Sequence, residues 1–275
     1  MKIFIGTLGT ISFLILSTCI LLDVAVAVAF VCRKGRNKRA DYCFAGLLIS
    51  FALTSLHQVF ILQSTYDNHP NLLFLPVYFT LSFGVFLFYS VKLRLFPAYR
   101  FVPSDAKHLI LPVGQFCYFL GLFLFTSPAY REELGRKFYS PFYGGLEMAL
   151  YIATFYAYQF AAYRYIRFKI TALRKKKEGG RPLFEAFALR RMLRMMLILF
   201  WINSAYIATD FVMYELLHLS MHNFRGFTRL GDLTYAAMAG WAGLTGLQLL
   251  SKQPYLNISE LLFTWLKNRL RRGRV

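Results

Sequence analysis

Seven long apolar runs, separated by short polar segments, constrain the fold of this chain more than any other feature. They cover residues 3–31, 42–63, 72–96, 109–127, 143–168, 192–217 and 232–250. Each is long enough for a helix that crosses a hydrocarbon core of about 30 Å, which takes about 20 residues. A transmembrane β-strand needs only about 10 residues of alternating polarity, whereas these runs are continuous. We therefore predict an all-α, polytopic membrane bundle of seven transmembrane helices.

Lysine and arginine are divided unequally between the two sets of segments that flank the runs. One set holds 26 of these residues and the other holds 6. The basic set consists of residues 33–41, 92–108, 164–194 and 252–275. Cytoplasmic loops of membrane proteins carry an excess of lysine and arginine. The division predicts a multi-pass membrane protein with an extracytoplasmic N-terminus and a cytoplasmic C-terminus.

The net charge of +19 has the same explanation. Basic residues at cytoplasmic helix ends set the orientation and contact anionic lipids of the inner leaflet. A nucleic-acid-binding protein carries its basic residues on a dedicated domain or face, and the sequence contains no separate basic domain. We therefore predict anionic lipids, and not nucleic acid, as the partners of the basic face.

The chain is predicted to consist of a transmembrane domain at 1–252 and a cytoplasmic amphipathic basic tail at 253–275. Apolar residues of the tail recur at helical spacing at Ile258, Leu261, Leu262, Trp265, Leu266 and Leu270. This pattern is typical of an interfacial helix on the cytoplasmic leaflet, and a helix packed on the inner end of the bundle is the alternative. Residues 169–191 are predicted to be a cytoplasmic linker, with a helical lead-in to the sixth span over its second half.

Small residues form continuous faces on the fifth and seventh runs. The fifth run carries Gly145, Ala149, Ala153, Ala157 and Ala161, and the seventh carries the pairs Ala236–Gly240, Ala239–Gly243 and Ala242–Gly246. Such faces let the backbones of membrane helices approach closely. We predict that the two helices lie centrally in the bundle or that one face joins two copies in a homodimer.

Acidic residues within the runs are candidates for function because burying them in a membrane is costly. Asp23 lies in the inner half of the first run. The others collect toward the outer ends of the last three runs, at Glu147, Asp210, Glu215 and Asp232. Together with His218 they are predicted to line an outer polar vestibule that binds a ligand.

A metal site is a second interpretation of the same region. Glu215, His218 and His222 are spaced i, i+3 and i+7, which places them on one face if the sixth helix continues through them. Two histidines at i, i+4 can share a divalent metal such as zinc. The glutamate that zinc proteases carry between such histidines is absent, and interfacial hydrogen bonding is the alternative role.

Other cofactors and catalytic groups find no support in the sequence. The seventh run has no lysine for a retinal Schiff base, since Lys252 follows the run. No glycine-rich phosphate loop or Ser-His-Asp arrangement is present. We assign no catalytic residue and leave any further cofactor open.

Several loop and span boundaries carry a resemblance to a known family. They are RKGRNKRAD at 33–41, NLLFLP at 71–76, DAKHLILP at 105–112 and LQLLSKQP at 247–254. In these the chain resembles the membrane region of bacterial seven-transmembrane AraC-type regulators. Those regulators continue into a DNA-binding domain, and the sequence ends at Val275 without a predicted counterpart. The resemblance implies a sensory or signalling module of the bacterial inner membrane whose output domain is expected to be absent or supplied by another protein.

Three functions are therefore open. The first is a membrane sensor, signalling module or scaffold that acts through a protein partner. The second is a small transporter or channel that moves cations or protons along the same acids. The third is an intramembrane metalloenzyme.

Overall fold

The protein is an all-helical bundle throughout the part that the structure describes. The computed structural model describes residues 2–33, 37–136, 144–175, 181–215, 217–219 and 225–250. Its helices are α1 (Lys2–Cys32), α2 (Lys38–Leu62), α3 (Thr65–Asn68), α4 (Thr80–Leu95), α5 (Ile110–Phe125), α6 (Pro128–Arg136), α7 (Leu146–Lys175), α8 (Arg181–Glu215) and α9 (Arg225–Leu250). Two 3-10 helices cover Pro70–Leu72 and Pro103–Leu109. No strand occurs in these ranges, which confirms that the fold is all-α, whereas the seven transmembrane spans and the interfacial helix stay predictions.

Four helical segments are long and apolar enough to cross a membrane. They are Gly9–Cys32, Lys38–Leu62, Pro103–Phe125 and Pro182–Tyr214. They support the prediction that this is a membrane protein. α4 is not among them, because its 16 residues span only about 24 Å at the helical rise per residue.

The boundaries differ from the apolar runs in three places. α9 begins at Arg225, seven residues before the seventh run. The run at 72–96 is not one helix, since α4 begins only at Thr80. Pro76 lacks an amide hydrogen, and Phe74 has a left-handed φ of 64°, so the segment before α4 is irregular. The predicted linker at 169–191 is largely helical, because α7 continues to Lys175 and α8 starts at Arg181. The helical lead-in to the sixth span is thus confirmed, whereas the tail at 253–275 lies outside the described residues.

Six helices form a ring in the order α1, α2, α4, α7, α8 and α9, and α9 returns to α1. α2 also contacts α9 across the ring, and α5 packs against α4. α1 and α9 are parallel, because Cys19 contacts Ala236 at one level and Arg33 contacts Leu249 farther along both helices. Two contacts at different levels of each pair give the directions of the other helices. α4 is parallel to α7. The antiparallel pairs are α2–α4, α4–α5, α7–α8 and α8–α9. The seven long helices therefore alternate in direction along the chain.

Aromatic side chains fill the space between four helices of the ring. The rings of Phe51 and Phe83 stack with their centroids 4.2 Å apart, and those of Phe155 and Phe200 stack at 4.0 Å. Tyr151 meets the edge of both Phe83 and Phe200. All five side chains are fully buried. This aromatic layer joins α2, α4, α7 and α8 at one depth.

The two small-residue faces have different surroundings. On α9, Ala236, Ala239 and Ala242 are buried, and Gly243 lies directly against Leu22 and Asp23 of α1. On α7, Ala149, Ala153 and Ala157 are exposed. The small-residue face of α9 therefore makes the predicted close approach, and the helix that it contacts is α1.

Charged side chains fix the end of the bundle at which α4 terminates. Arg94 donates to Asp41 Oδ1 at 2.8 Å, and Lys92 lies 3.6 Å from the centre of the Tyr99 ring. The Tyr99 hydroxyl donates to Asp105 Oδ2 at 2.7 Å. This hydrogen bond, aided by burial, raises the pKa of Tyr99 to about 12. The connection between α4 and α5 is thus held against the bundle.

Candidate functional site

Glu147, in the first turn of α7, is the carboxylate around which one end of the bundle, the end at which α4 and α7 begin, is organised. Its Oε1 accepts hydrogen bonds from Gln115 Nε2 of α5 and, at 3.4 Å, from Thr80 Oγ1 of α4. Gln115 also donates to Thr80 at 3.0 Å and accepts from the Leu81 amide at 3.1 Å. The N-terminal end of a helix favours a negative charge. One half-buried acid thus ties three helices together.

Tyrosines extend this arrangement to α8 and α9. The Tyr151 hydroxyl donates to Asn203 Oδ1 at 3.2 Å, and Asn203 Nδ2 donates to Thr234 Oγ1 at 2.7 Å. The Tyr235 hydroxyl interacts with the hydroxyls of Tyr78 and Tyr151 and with Asn203. Both Tyr78 and Tyr235 are electrostatic neighbours of Glu147.

These residues form what we call the acid–tyrosine network. Its members are Tyr78, Thr80, Gln115, Glu147, Tyr151, Asn203, Thr234 and Tyr235. A carboxylate surrounded by hydroxyl and amide donors can exchange those donors for a cationic or proton-donating group of a ligand. The network lies next to the aromatic layer and shares Tyr151 with it.

Two further predicted vestibule residues lie beside the network. Asp210 of α8 and Asp232 of α9 are both buried, and both are electrostatic neighbours of Tyr206. Tyr206 is in turn a neighbour of Tyr235. Asp232 accepts a hydrogen bond from Arg229 at 3.0 Å. Glu147, Asp210 and Asp232 thus lie in one region of the bundle. They are related through their electrostatic interactions with Tyr206 and Tyr235.

The helical spacing behind the metal prediction does not persist in the structure. α8 ends at Glu215, and His218 is exposed and has a left-handed φ of 52°. The Leu219 amide bonds to the carbonyl of Met213 at 2.9 Å, which closes the end of the helix. The side chain of Glu215 and all of His222 lie outside the described residues. Within the described part no group of three His, Cys, Asp or Glu side chains is arranged to hold a metal, so metal binding stays a prediction.

His57 and Tyr78 also belong to this region; His57 is one of the polar residues within the apolar runs, whereas Tyr78 carries no signal in the sequence. His57 Nδ1 lies 2.7 Å from the Tyr66 hydroxyl, and its ring centroid lies 5.2 Å from that of Tyr78. Tyr78 in turn hydrogen-bonds with Tyr235 and lies within electrostatic range of Glu147. With phenylalanine, tryptophan and tyrosine together at 18% of the chain, no pattern distinguishes Tyr78. It lies in the irregular segment before α4, whereas His57 belongs to α2.

Asp23 is separate from the network and has unusual surroundings. The side chain is 0% exposed, and neither carboxylate oxygen has a hydrogen-bond partner among the described residues. It lies at the contact between α1 and α9.

No protein-family model matches the chain, and no curated protein or solved structure is significantly similar to it. The resemblance to AraC-type membrane regulators therefore stays a prediction, as do the transporter and metalloenzyme functions. What can be said of function comes from the bundle itself.

Proposed function

We propose that the protein is a seven-span sensor of the bacterial inner membrane, that the acid–tyrosine network binds its ligand, and that a partner protein reads the result. One observation supports this most strongly. A single carboxylate, Glu147, accepts hydrogen bonds from α4 and α5 and lies within electrostatic range of Tyr235 on α9, whose hydroxyl interacts with Asn203 on α8. A ligand that changes the partners of this carboxylate changes the contacts among α4, α5 and α7 directly and the electrostatic surroundings of Tyr235.

The alternating directions of the seven long helices support the seven-span topology. Under it, the network lies toward the outer face, and the ion pairs of Asp41, Arg94 and Lys92 lie toward the cytoplasm. The exposed small-residue face of α7 is then available for a second copy of the chain. Anionic lipids contact the basic cytoplasmic ends.

The ligand class follows from the chemistry of Glu147. Its present donors are a neutral amide and a neutral hydroxyl, and no cation among the described residues neutralises the carboxylate. An ammonium group supplies hydrogen-bond donors and a positive charge together. A small molecule with an ammonium group can therefore displace them. It shifts the helix arrangement only if it binds one arrangement more tightly than the other.

The proposal predicts a change at the cytoplasmic ends when an amine binds at the outer end. Spin labels at Tyr42→Cys and Phe168→Cys, two exposed positions, report the distance between α2 and α7. The four native cysteines are first replaced by serine. We expect a panel of primary alkylamines to shift the distance distribution measured by pulsed electron paramagnetic resonance. Glu147→Gln should abolish this shift because a neutral amide cannot pair with an ammonium group.

Glu132→Gln provides the control, since Glu132 is an exposed acid of α6 at the same end of the bundle. It should leave the amine response unchanged. An amine response that survives Glu147→Gln at full amplitude would refute the network as the ligand site, and the absence of any response in the unmodified network would count against amines as the ligand class.

Dimerisation through α7 gives a second prediction. In the same cysteine-free background, Ala153→Cys should form a disulfide-linked dimer on mild oxidation in membranes, because Ala153 is exposed in the middle of the small-residue face. Leu21→Cys is the control, since Leu21 is 72% exposed on α1 and lies on no such face. Gel electrophoresis without reducing agent measures the dimer. Equal cross-linking at the two positions would indicate random collision and contradict the α7 interface.

A further inference from the structure

The contact between α1 and α9 depends on small residues at successive levels. Cys19 Sγ donates to the Ala236 carbonyl at 3.4 Å, and one turn farther along, Asp23 lies against Gly243. A Cβ atom added at Gly243 would overlap Asp23 Oδ1 and would lie 2.8 Å from Leu22 Cδ2. Because glycine has no Cβ, the carboxyl group of Asp23 can lie directly on the α9 backbone at this point.

Within the described part of the chain, neither oxygen of Asp23 has a hydrogen-bond partner, and no cation lies within electrostatic range of its carboxyl group. On its own helix the titratable neighbour is the thiol of Cys19. The face that α9 presents at this level is glycine and alanine, and α2 packs on α1 through apolar side chains such as Phe44. Both oxygens of Asp23 are buried and unpaired. Burial of an isolated carboxylate is far more costly than burial of a neutral acid.

Asp41 shows how the same chain buries a charged aspartate. It is 3% exposed, almost as buried as Asp23. Its Oδ1 accepts a hydrogen bond from Arg94 at 2.8 Å, so the negative charge is neutralised. Two aspartates of similar burial therefore have opposite surroundings, one with a cation and one without.

We propose that Asp23 is a proton-binding site, and that α1 and α9 pack against each other with its carboxyl group protonated. A hydrogen ion from the aqueous phase adds to one carboxylate oxygen, and no other bond changes. The resulting carboxylic acid is neutral, so no charge is left unpaired in the α1–α9 contact. Release of the proton leaves an uncompensated charge in the α1–α9 contact. The inference does not depend on the sensor function.

Infrared spectroscopy of the purified full-length protein at neutral pH tests the proposal. The difference spectrum between the wild type and Asp23→Asn should show loss of the carbonyl band of a protonated carboxylic acid. The matched difference spectrum for Asp41→Asn should instead show loss of the carboxylate bands. Loss of carboxylate bands in the Asp23→Asn spectrum would overturn the proposal.

A second measurement requires no variant and so does not depend on whether Asp23→Asn folds. A hydrophobic carbodiimide adds the O–H of a protonated carboxyl group across its N=C bond and rearranges to a stable adduct. In membranes at neutral pH we expect mass spectrometry to locate the adduct at Asp23 and to find Asp41 unmodified. Modification of Asp41 without modification of Asp23 would contradict the proposal.

Discussion

Arg94→Ala is expected to lower the free energy of unfolding by about 3–5 kcal/mol, the usual cost of removing one partner from a buried ion pair. Arg94 donates to Asp41 at 2.8 Å, and both side chains are largely shielded from water. Without the guanidinium group, the Asp41 carboxylate remains buried. Arg33 lies within electrostatic range of Asp41 and offsets part of the loss, which favours the lower end of the range. Unfolding of the detergent-solubilised protein by a chemical denaturant measures the effect.

The double variant Asp41→Leu/Arg94→Met separates charge from packing. Replacing both members of a buried ion pair by apolar residues of similar volume is often neutral, so this variant should be nearly as stable as the wild type. The Arg94 guanidinium also lies 5.5 Å from the centre of the Phe30 ring. If the double variant is as unstable as Arg94→Ala, the loss comes from this aromatic contact and not from the isolated carboxylate.

The apolar runs predicted helices well where a run is uninterrupted and poorly where its ends contain turn-forming residues. α1, α2 and α5 lie within a few residues of their runs. The third run was misplaced by about two turns at its start, because hydropathy does not register the backbone constraint of Pro76 or the left-handed Phe74. The sixth run ends within two residues of α8, but the metal interpretation extended the helix through His218, which lies beyond its end. A helix commonly ends at a glycine in the left-handed conformation, but here His218 occupies that conformation.

The partners of the site residues could not be predicted from the sequence. Glu147 was identified by the cost of an acid in an apolar run, but Gln115 and Thr80 are far away in the chain and reach it only through the arrangement of α4, α5 and α7. The small-residue faces illustrate the same limit. A row of alanine and glycine indicates that another helix can approach closely. It does not indicate which helix, and the face on α9 is covered while that on α7 is open.

Gly243→Leu is expected to destabilise the protein by about 1–3 kcal/mol, the usual effect of inserting extra atoms into a well-packed interior. The first added atom already overlaps Asp23 Oδ1 and crowds Leu22, so α1 and α9 must separate. Gly114→Leu is the matched control, because a Cβ atom at Gly114 on α5 would have no neighbour within 4 Å. It should be neutral or stabilising, since glycine is a poor helix former. Thermal unfolding in detergent compares the two variants.

The double variant Gly243→Ala/Asp23→Ala identifies which contact is responsible. If the carboxyl group of Asp23 is the obstacle, its removal should restore most of the stability that Gly243→Ala loses, because the new methyl group occupies the space of the missing oxygen. If stability is not restored, the obstacle is Leu22, whose Cδ2 and Cγ also lie within 3 Å of the added atom. Equal stability of Gly243→Leu and Gly114→Leu would mean that α1 and α9 are not in close contact. Asp23 would then not be buried between the two helices.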